Sequence, residues 1–159
     1  MTDSTEEDKQ DWGKRYLLIL PCSKRKRSVP TAPATDLYDG PFYRILRKQK
    51  LPNLDVLILS AKYGLIEADR IIVNYDQKMT GQRARELSQG VKEKLEEAIT
   101  IGRHKEVFVN LGSRYMTGLC ASKNVLDRCN ASYATGPIGK RLHQLKVWLI
   151  DLQKEVNHD

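Results

Sequence analysis

Three short, continuously apolar runs constrain the fold more than any other feature of this chain. They are YLLILP at 16–21, DVLILS at 55–60 and EVFVNL at 106–111. Short runs that are apolar on both faces and closed by turn residues are typical of the buried strands of a parallel sheet. A further strand is predicted at 129–134.

Amphipathic segments separate these runs. In residues 81–101 apolar side chains recur at spacings of three and four, which predicts a helix with Thr80 as its N-cap. Further helices are predicted at 41–50, 114–122 and 139–156. The alternation of strands and helices predicts a three-layer α/β sandwich with a central, mainly parallel four-stranded sheet.

The N-terminus differs from the rest in composition. Residues 1–11 contain five acidic residues and one lysine, so we predict a flexible acidic tail at 1–12 and one α/β domain at 13–159. No apolar run approaches the roughly 18–20 residues that cross a membrane, and no export signal is evident, so we expect a cytoplasmic protein without a membrane partner. No obligate protein partner is evident.

Charge indicates the class of ligand. The formal net charge is +7, and because residues 1–11 carry −4, residues 12–159 carry +11. A domain with this net positive charge favours binding to a polyanion. We expect the partner to be nucleic acid, in the first instance DNA. The three cysteines form no CxxC pair, so we expect no zinc site, and no metal or organic cofactor is expected.

Ligands of open parallel sheets bind at the carboxyl ends of the strands, which directs attention to four segments. They are 21–43, 60–78, 112–115 and 133–141, and they contain the least routine residues of the sequence.

The first of these segments carries four consecutive cations at 24–27 and two aspartates. The cations and Ser23 are suited to holding phosphates. Asp36 and Asp39 flank Tyr38, and a carboxylate beside a stacked base can orient water or stabilise a sugar cation. A solvated basic surface loop explains the cation run equally well.

The other segments offer weaker signals. Tyr63 with its neighbouring lysine suits a base and a phosphate, or simply packs on the sheet. Gly112 opens a strand-to-helix turn at which backbone N–H groups can face an anion, and close packing explains it as well. Lys140 and Arg141 begin the last helix and suit a backbone phosphate. His104 is predicted to be an exposed loop residue.

The strings LPCSKRK, APATDLYDGPFY and LSAKYGLI resemble those of a small bacterial and phage family marked by PCSK and SAKYGL. That family is similar to a domain of archaeosine synthase, an enzyme of tRNA deazaguanine modification. In layout, both resemble the uracil-DNA glycosylase superfamily, which implies a uracil-DNA glycosylase-like fold.

The chain departs from true uracil glycosylases at their motifs. Where those enzymes place an aspartate after the first strand, this chain has residues 21–24, PCSK, and their uracil-reading asparagine is matched by Ser60. Their late histidine motif is replaced near residues 133–139. Uracil excision by the usual machinery is therefore not expected.

The resulting hypothesis is a DNA N-glycosylase that excises a modified base, with phage defence as its expected setting. Asp36 and Asp39 are the candidate catalytic residues, acting on a nucleotide flipped out of the stack. The expected substrate-binding residues are Cys22, Ser23, Lys24, Lys26, Tyr38, Phe42, Tyr43, Ser60, Lys62, Tyr63, Gly112, Ser113, Arg114, Lys140 and Arg141.

Two other classes of function stay open. One is a transferase that modifies a base of tRNA or of a free nucleotide. The other is a non-catalytic nucleic-acid-binding protein, which would tolerate loss of both aspartates.

Overall fold

The computed structural model describes residues 15–157. The predicted acidic tail, 1–12, therefore lies outside the described residues. The strands are, in chain order, β1 (Tyr16–Pro21), β2 (Thr31–Pro33), β3 (Leu54–Ser60), β4 (Gly64–Glu67), β5 (Ile71–Val73), β6 (Glu106–Val109) and β7 (Ala131–Tyr133).

Short and long helices fill the chain between the strands. They are α1 (Ala34–Leu37), α2 (Pro41–Arg47), α3 (Gly81–Gly102), α4 (Ser113–Met116), α5 (Lys123–Asp127) and α6 (Ile138–Asn157), with a 3-10 helix at Thr117–Ser122. The residues described include no helix with both the length and the apolar character that a bilayer crossing needs.

The central sheet has the order β4-β3-β1-β6-β7. Strands β3, β1, β6 and β7 are parallel, and β4 runs antiparallel to β3. The central strand β1 is buried along its whole length, as its uninterrupted apolar sequence requires. The prediction of an α/β fold with a mainly parallel sheet is confirmed.

The predicted number of sheet strands was wrong, since the central sheet has five rather than four. The additional strand is β4, which sequence reasoning treated as part of a loop. Gly64 has φ +76°, a conformation that few side chains tolerate, and it lets the chain turn directly after β3. Leu65 and Ile66 then pair beside β3 with buried side chains.

Helices cover both faces of the central sheet. On one face Trp148 of α6 packs against Phe108 of β6, with ring centroids 5.1 Å apart. On the other face Gly118 of the 3-10 helix lies against Leu59 of β3, where a Cβ would come within 3.0 Å of the Leu59 side chain. The sheet is thus the middle layer of three.

The long helix α3 begins and ends for local reasons. The Thr80 side chain accepts a hydrogen bond from the backbone N–H of Arg83, which confirms the predicted N-cap. Arg103 ends the helix in the left-handed conformation. The next residue corrects a prediction, because the His104 side chain is only 2% exposed and its Nε2 lies 2.8 Å from Oδ2 of Asp55.

Strands β2 and β5 form a separate two-stranded antiparallel ribbon. Its inner face carries Ile72, which is buried in the core. The ribbon leads into α1, and the backbone N–H of Ala34 donates to the carbonyl of Arg70. The ribbon therefore joins two of the predicted functional segments, since β2 lies within 21–43 and β5 within 60–78.

Candidate functional site

A cavity of about 500 Å³ opens at the carboxyl ends of β1 and β6, as expected for an open parallel sheet. Its walls come from the loop after β1, the start of α2, the turn after β6 and the start of α6. The lining residues are Pro21, Cys22, Ser23, Lys24, Arg25, Gly40, Pro41, Phe42, Tyr43, Gly112, Ser113, Arg114, Tyr115, Ile138 and Arg141.

Local sequence fixes the first wall of this cavity. Pro41 occupies the first turn of α2, where its missing N–H costs nothing. Gly40 lets the loop after β1 approach closely, since a Cβ there would lie 2.8 Å from the Cβ of Ser23. The backbone N–H of Cys22 continues the sheet by donating to the carbonyl of Leu59.

Aromatic side chains form the apolar part of the cavity. The Tyr43 hydroxyl donates to the carbonyl of Pro21 at 2.6 Å. The Tyr115 hydroxyl lies 3.2 Å from Sγ of Cys22. Burial raises the pKa of Tyr43 and of Tyr115 above the ordinary value, so both phenols stay neutral even in alkaline solution.

Arg141 is the cation most deeply set into this cavity. Its guanidinium carbon lies 5.6 Å from the ring centroid of Phe42, and burial lowers its pKa. Its Nη1 is buried and has no hydrogen-bond partner among the described residues. The neighbouring Asn110 is fully buried and donates from Nδ2 to the Arg141 carbonyl at 2.8 Å.

The cavity is strongly electropositive. Lys24, Arg25 and Arg114 are exposed at its rim, in addition to Arg141. None of the described lining residues is an aspartate or glutamate. A ligand with an apolar ring and a negative group fits these surroundings best.

Three other predicted residues, Ser60, Tyr38 and Tyr63, form a tyrosine cluster together with Tyr75. The hydroxyls of Tyr38 and Tyr75 lie 2.6 Å apart, and Oγ of Ser60 lies 2.8 Å from the Tyr75 hydroxyl. Burial, more than any other cause, raises the pKa of Tyr38 to about 12. Tyr38 also packs against Tyr43 of the cavity, with ring centroids 5.4 Å apart.

Two lysines cover the tyrosine cluster. Lys26 Nζ lies 4.5 Å from the ring centroid of Tyr75, and Lys62 Nζ lies 5.3 Å from that of Tyr63. These contacts are cation–π geometries. The cluster and its lysines lie outside the set of residues that line the cavity.

The two candidate catalytic aspartates occupy different surroundings. Asp36 is exposed on α1. Asp39 lies next to Gly40 of the cavity wall and forms ion pairs with Arg25, Arg44 and Arg47. A hydrogen bond from Arg47, followed by the charges of the neighbouring arginines, lowers the pKa of Asp39.

The structure brings most predicted binding residues together. Nine of them line the cavity, namely Cys22, Ser23, Lys24, Phe42, Tyr43, Gly112, Ser113, Arg114 and Arg141. Lys26, Tyr38, Ser60, Lys62 and Tyr63 belong to the tyrosine cluster or cover it. Lys140 is exposed at the start of α6, outside the lining set.

Sequence reasoning missed several residues of this region, most notably two side chains of the cavity and one of the tyrosine cluster. Tyr115 and Ile138 line the cavity, and Tyr75 is the centre of the tyrosine cluster. Tyr115 stands in the segment 112–115 that the sequence marked, so its position after a strand was the available signal. No local pattern distinguishes Ile138 from any other apolar residue near a helix start.

A second cavity, of about 490 Å³, lies on the α3 side of the sheet. Its polar residues largely satisfy one another. Asp55 accepts hydrogen bonds from Arg15, and Lys94 pairs with Glu67. The described residues contain no group of histidine, cysteine, aspartate and glutamate that could hold a metal ion.

The fold and the cavity define a three-layer α/β protein with a cation-lined, aromatic cavity at the carboxyl ends of its parallel strands. The chain belongs to DUF6884, a family of unknown function, which it matches over residues 17–147. That match covers both the cavity and the tyrosine cluster.

One solved structure is similar to this chain in its fold. The chain is similar to the crystal structure of AF0587, a protein of unknown function, with a TM-score of 0.53 and 16% sequence identity. The match covers 88% of this chain and 48% of the other, so this chain spans about half the length of that protein. No curated protein matches the sequence.

Proposed function

We propose that this protein binds nucleic acid, holds one extruded base in the strand-end cavity and cleaves the N-glycosidic bond of a modified base. The observation that carries the proposal is the composition of the cavity. Aromatic rings line a space of about 500 Å³, and the charged side chains that line it are all cations.

The aromatic wall suits a nucleobase. Tyr115 is half-buried and offers a ring surface, and stacking on such a ring is worth about 1–3 kcal/mol per base. Phe42 and Tyr43 are 5% and 1% exposed, so they support this wall from within the core. The Tyr115 hydroxyl is a neutral hydrogen-bonding group, and burial raises its pKa further. The buried Tyr43 hydroxyl already donates to the carbonyl of Pro21. A base inside a duplex cannot reach such a cavity, so the nucleotide must be extruded or already unpaired.

The cations suit the phosphates on either side of that base. Lys24 and Arg114 are exposed at the rim, where each can neutralise one phosphate. Arg141 lies deeper, and its buried, unpartnered Nη1 is suited to an oxygen of the ligand. This arrangement agrees with the basic character of residues 12–159.

The reaction assigned to the cavity is the more specific part of the proposal. Cleavage of an N-glycosidic bond creates positive charge on the sugar, which an ionised carboxylate stabilises. Asp39 is ionised at neutral pH, as aspartates ordinarily are, and its lowered pKa keeps it ionised under more acidic conditions as well. Its partner Arg25 lines the cavity. Asp36 is the alternative carboxylate.

The uracil-DNA glycosylase-like layout belongs to the same proposal. It is supported by the positions of the functional loops after β1, β3 and β6 and before α6. The phage-defence setting and a cytoplasmic location are parts of this hypothesis too.

A second candidate function is favoured by a specific observation. None of the described residues that line the cavity is a carboxylate, whereas the Cys22 thiol lines it and lies beside the Tyr115 hydroxyl. Such a site suits a transferase that modifies a base without hydrolysing its glycosidic bond. Its substrate would be tRNA or a free nucleotide.

Formation of abasic sites tests the proposed reaction directly. Purified protein is incubated with DNAs that contain ordinary bases, uracil or hypermodified bases, and the DNA is then treated with alkali. Strand breaks on one modified DNA, lost in Asp39→Asn or Asp36→Asn while binding persists, are the expected result.

The matched control is Asp69→Asn, since Asp69 is exposed and lies outside the cavity. If all DNAs stay intact while tRNA or a nucleotide is altered, the transferase replaces the glycosylase. If the wild-type protein binds none of these ligands, the assignment of the cavity to a nucleic-acid base is wrong.

A further inference from the structure

An apolar patch lies outside the cavity, on the β2–β5 ribbon. Ile71 and Val73 of β5 are 71% and 55% exposed, and Val29 in the turn before β2 is 39% exposed. Ile72, between the first two, is buried, so the ribbon turns one face to the core and the other outward. We call Val29, Ile71 and Val73 the ribbon patch.

Hydrogen bonds hold the turn that carries Val29 beside the end of β5. Nδ2 of Asn74 donates to the carbonyls of Arg27 and Val29, both at 2.9 Å. The Tyr63 hydroxyl donates to the carbonyl of Val73 at 3.0 Å. The turn and the end of β5 are therefore fixed side by side.

The Val73 end of the patch is basic. Lys26 and Lys62 cover the neighbouring tyrosine cluster, and Arg27 is exposed in the turn. Of the exposed acids near the ribbon, Asp36 and Asp69 belong to the Ile71 end, where α1 is hydrogen-bonded to residues 68–70, and Asp76 follows Val73 by three positions. The three cations at the Val73 end outnumber that one carboxylate. Charge therefore favours a polyanion at Val29 and Val73.

One loop joins this basic end to the cavity. Ser23, Lys24 and Arg25 line the cavity, and the same loop continues through Lys26 to Val29. An antiparallel bridge between Lys26 and Tyr38 fixes the middle of the loop. A nucleic-acid strand with one base in the cavity can thus follow the loop toward the patch.

We propose that the ribbon patch and its cations bind unstacked bases and phosphates of a single-stranded segment beside the nucleotide in the cavity. The substrate class is therefore single-stranded or locally unpaired nucleic acid. This inference rests on the proposed function, because it takes the cavity as the site of the base.

The physical reason lies in what each form of nucleic acid exposes. In a duplex the base faces are stacked, so aliphatic side chains have no base face to cover. In a single strand those faces are open, and covering them removes apolar surface from water on both partners. Adjacent lysines and arginines then neutralise the phosphates of the same strand.

The double variant Val29→Thr/Val73→Thr tests the inference. Threonine keeps the β-branched shape of valine but replaces a methyl with a hydroxyl, so the ribbon stays folded. We expect the affinity for a short labelled single strand, measured by fluorescence anisotropy, to fall by about fivefold. Affinity for a hairpin duplex of the same composition should not change.

Val147→Thr is the matched control, since Val147 is 43% exposed on α6, away from the ribbon.

Arg141→Gln, a cavity variant, is measured in parallel. If it weakens single-strand binding and the ribbon variant does not, the inference is overturned and the proposed function stands. If wild type binds neither nucleic acid, both fail. A changed oligomeric state in the ribbon variant would make the patch a self-association surface and also overturn the inference.

Discussion

Asp55 is the residue at which charge and burial are most closely coupled. Burial alone would raise its pKa, but hydrogen bonds from Arg15 and His104 outweigh that effect, and the pKa is lowered. Arg15 Nη2 lies 2.6 Å from each carboxylate oxygen. The three side chains tie the start of β3 to the residue before β1 and to the turn after α3.

We expect Asp55→Asn to lower the free energy of unfolding at pH 7 by about 1 kcal/mol, because solvent partly screens the pair. A carboxyl whose pKa is lower in the folded state stabilises the protein above its unfolded pKa of about 4. That contribution is lost as the pH falls through the folded value. The measurement is urea denaturation of both proteins from pH 7 to pH 3.

The difference between the two proteins should shrink toward zero at the acidic end of this range. Asp36→Asn is the control, since Asp36 is exposed, and it should match wild type throughout. A difference that stayed constant with pH would show that Asp55 acts through packing and not through its charge.

Asp39 shows what residue-scale reasoning from sequence could not supply. The sequence placed a carboxylate beside an aromatic residue in a basic loop, but it did not indicate which cations would bind that carboxylate. The structure adds Arg44 and Arg47 of α2 to Arg25 of the loop. Arg47 also donates to the carbonyls of Thr35 and Tyr38, so it fixes the backbone around Asp39.

The packing of the 3-10 helix between β3 and α3 leaves no room for a side chain at Gly118. Gly118 lies between Leu59 of β3 and Ala84 of α3. Leu59 and Ala84 are both fully buried, so neither has free space into which it can move. Gly90 of α3, by contrast, is exposed, and a Cβ there meets nothing within 4 Å.

Alanine at these two glycines should therefore have opposite effects. Gly118→Ala should destabilise the protein by about 1–3 kcal/mol through overpacking. Gly90→Ala should stabilise it by about 0.5–1 kcal/mol, because alanine restricts the unfolded chain and favours the helix. Thermal and urea denaturation of both variants measure the difference, and equal effects would contradict the packing described here.

Strands and helices were predicted correctly where the residues of the element itself show an apolar run or a helical periodicity. The runs of β1 and β3 and the periodicity of α3 are local, and the structure confirms them. Strand β4 was missed because its four residues follow β3 after a short turn and carry no separate signal. Its pairing depends on Gly64 and on the open edge of β3.

At the scale of the whole molecule, positive charge lies at both ends of the parallel strands. Lys24 and Arg114 lie at the cavity, at the carboxyl ends of the strands, whereas Lys105 precedes β6 and therefore lies at the amino ends. All three side chains are exposed. If nucleic acid binds at the cavity, only the first two contact phosphates.

Salt dependence of binding distinguishes these cations. We expect Lys24→Gln and Arg114→Gln each to reduce the slope of log affinity against log salt concentration by about one. Lys105→Gln, which removes the same charge from the amino ends of the strands, should leave the slope unchanged. Equal effects of all three would indicate attraction by net charge alone, without a defined site.

The sequence by itself determined the class of fold, the position of the core strands and the segments in which a site would form. Burial on two faces and helical periodicity are properties of consecutive residues, so they can be read from the sequence. Strands that run parallel bring their carboxyl ends to one edge, which places the following loops together before any contact is known.

Only the tertiary structure decided which side chains meet within those loops. Cys22 and Tyr115, whose sulfur and hydroxyl are in contact, are 93 positions apart. Their meeting depends on the parallel register that sets Ile19 beside Val109. Contacts of this kind follow from the packing of whole elements, in which many weak interactions act together, and no local pattern encodes them.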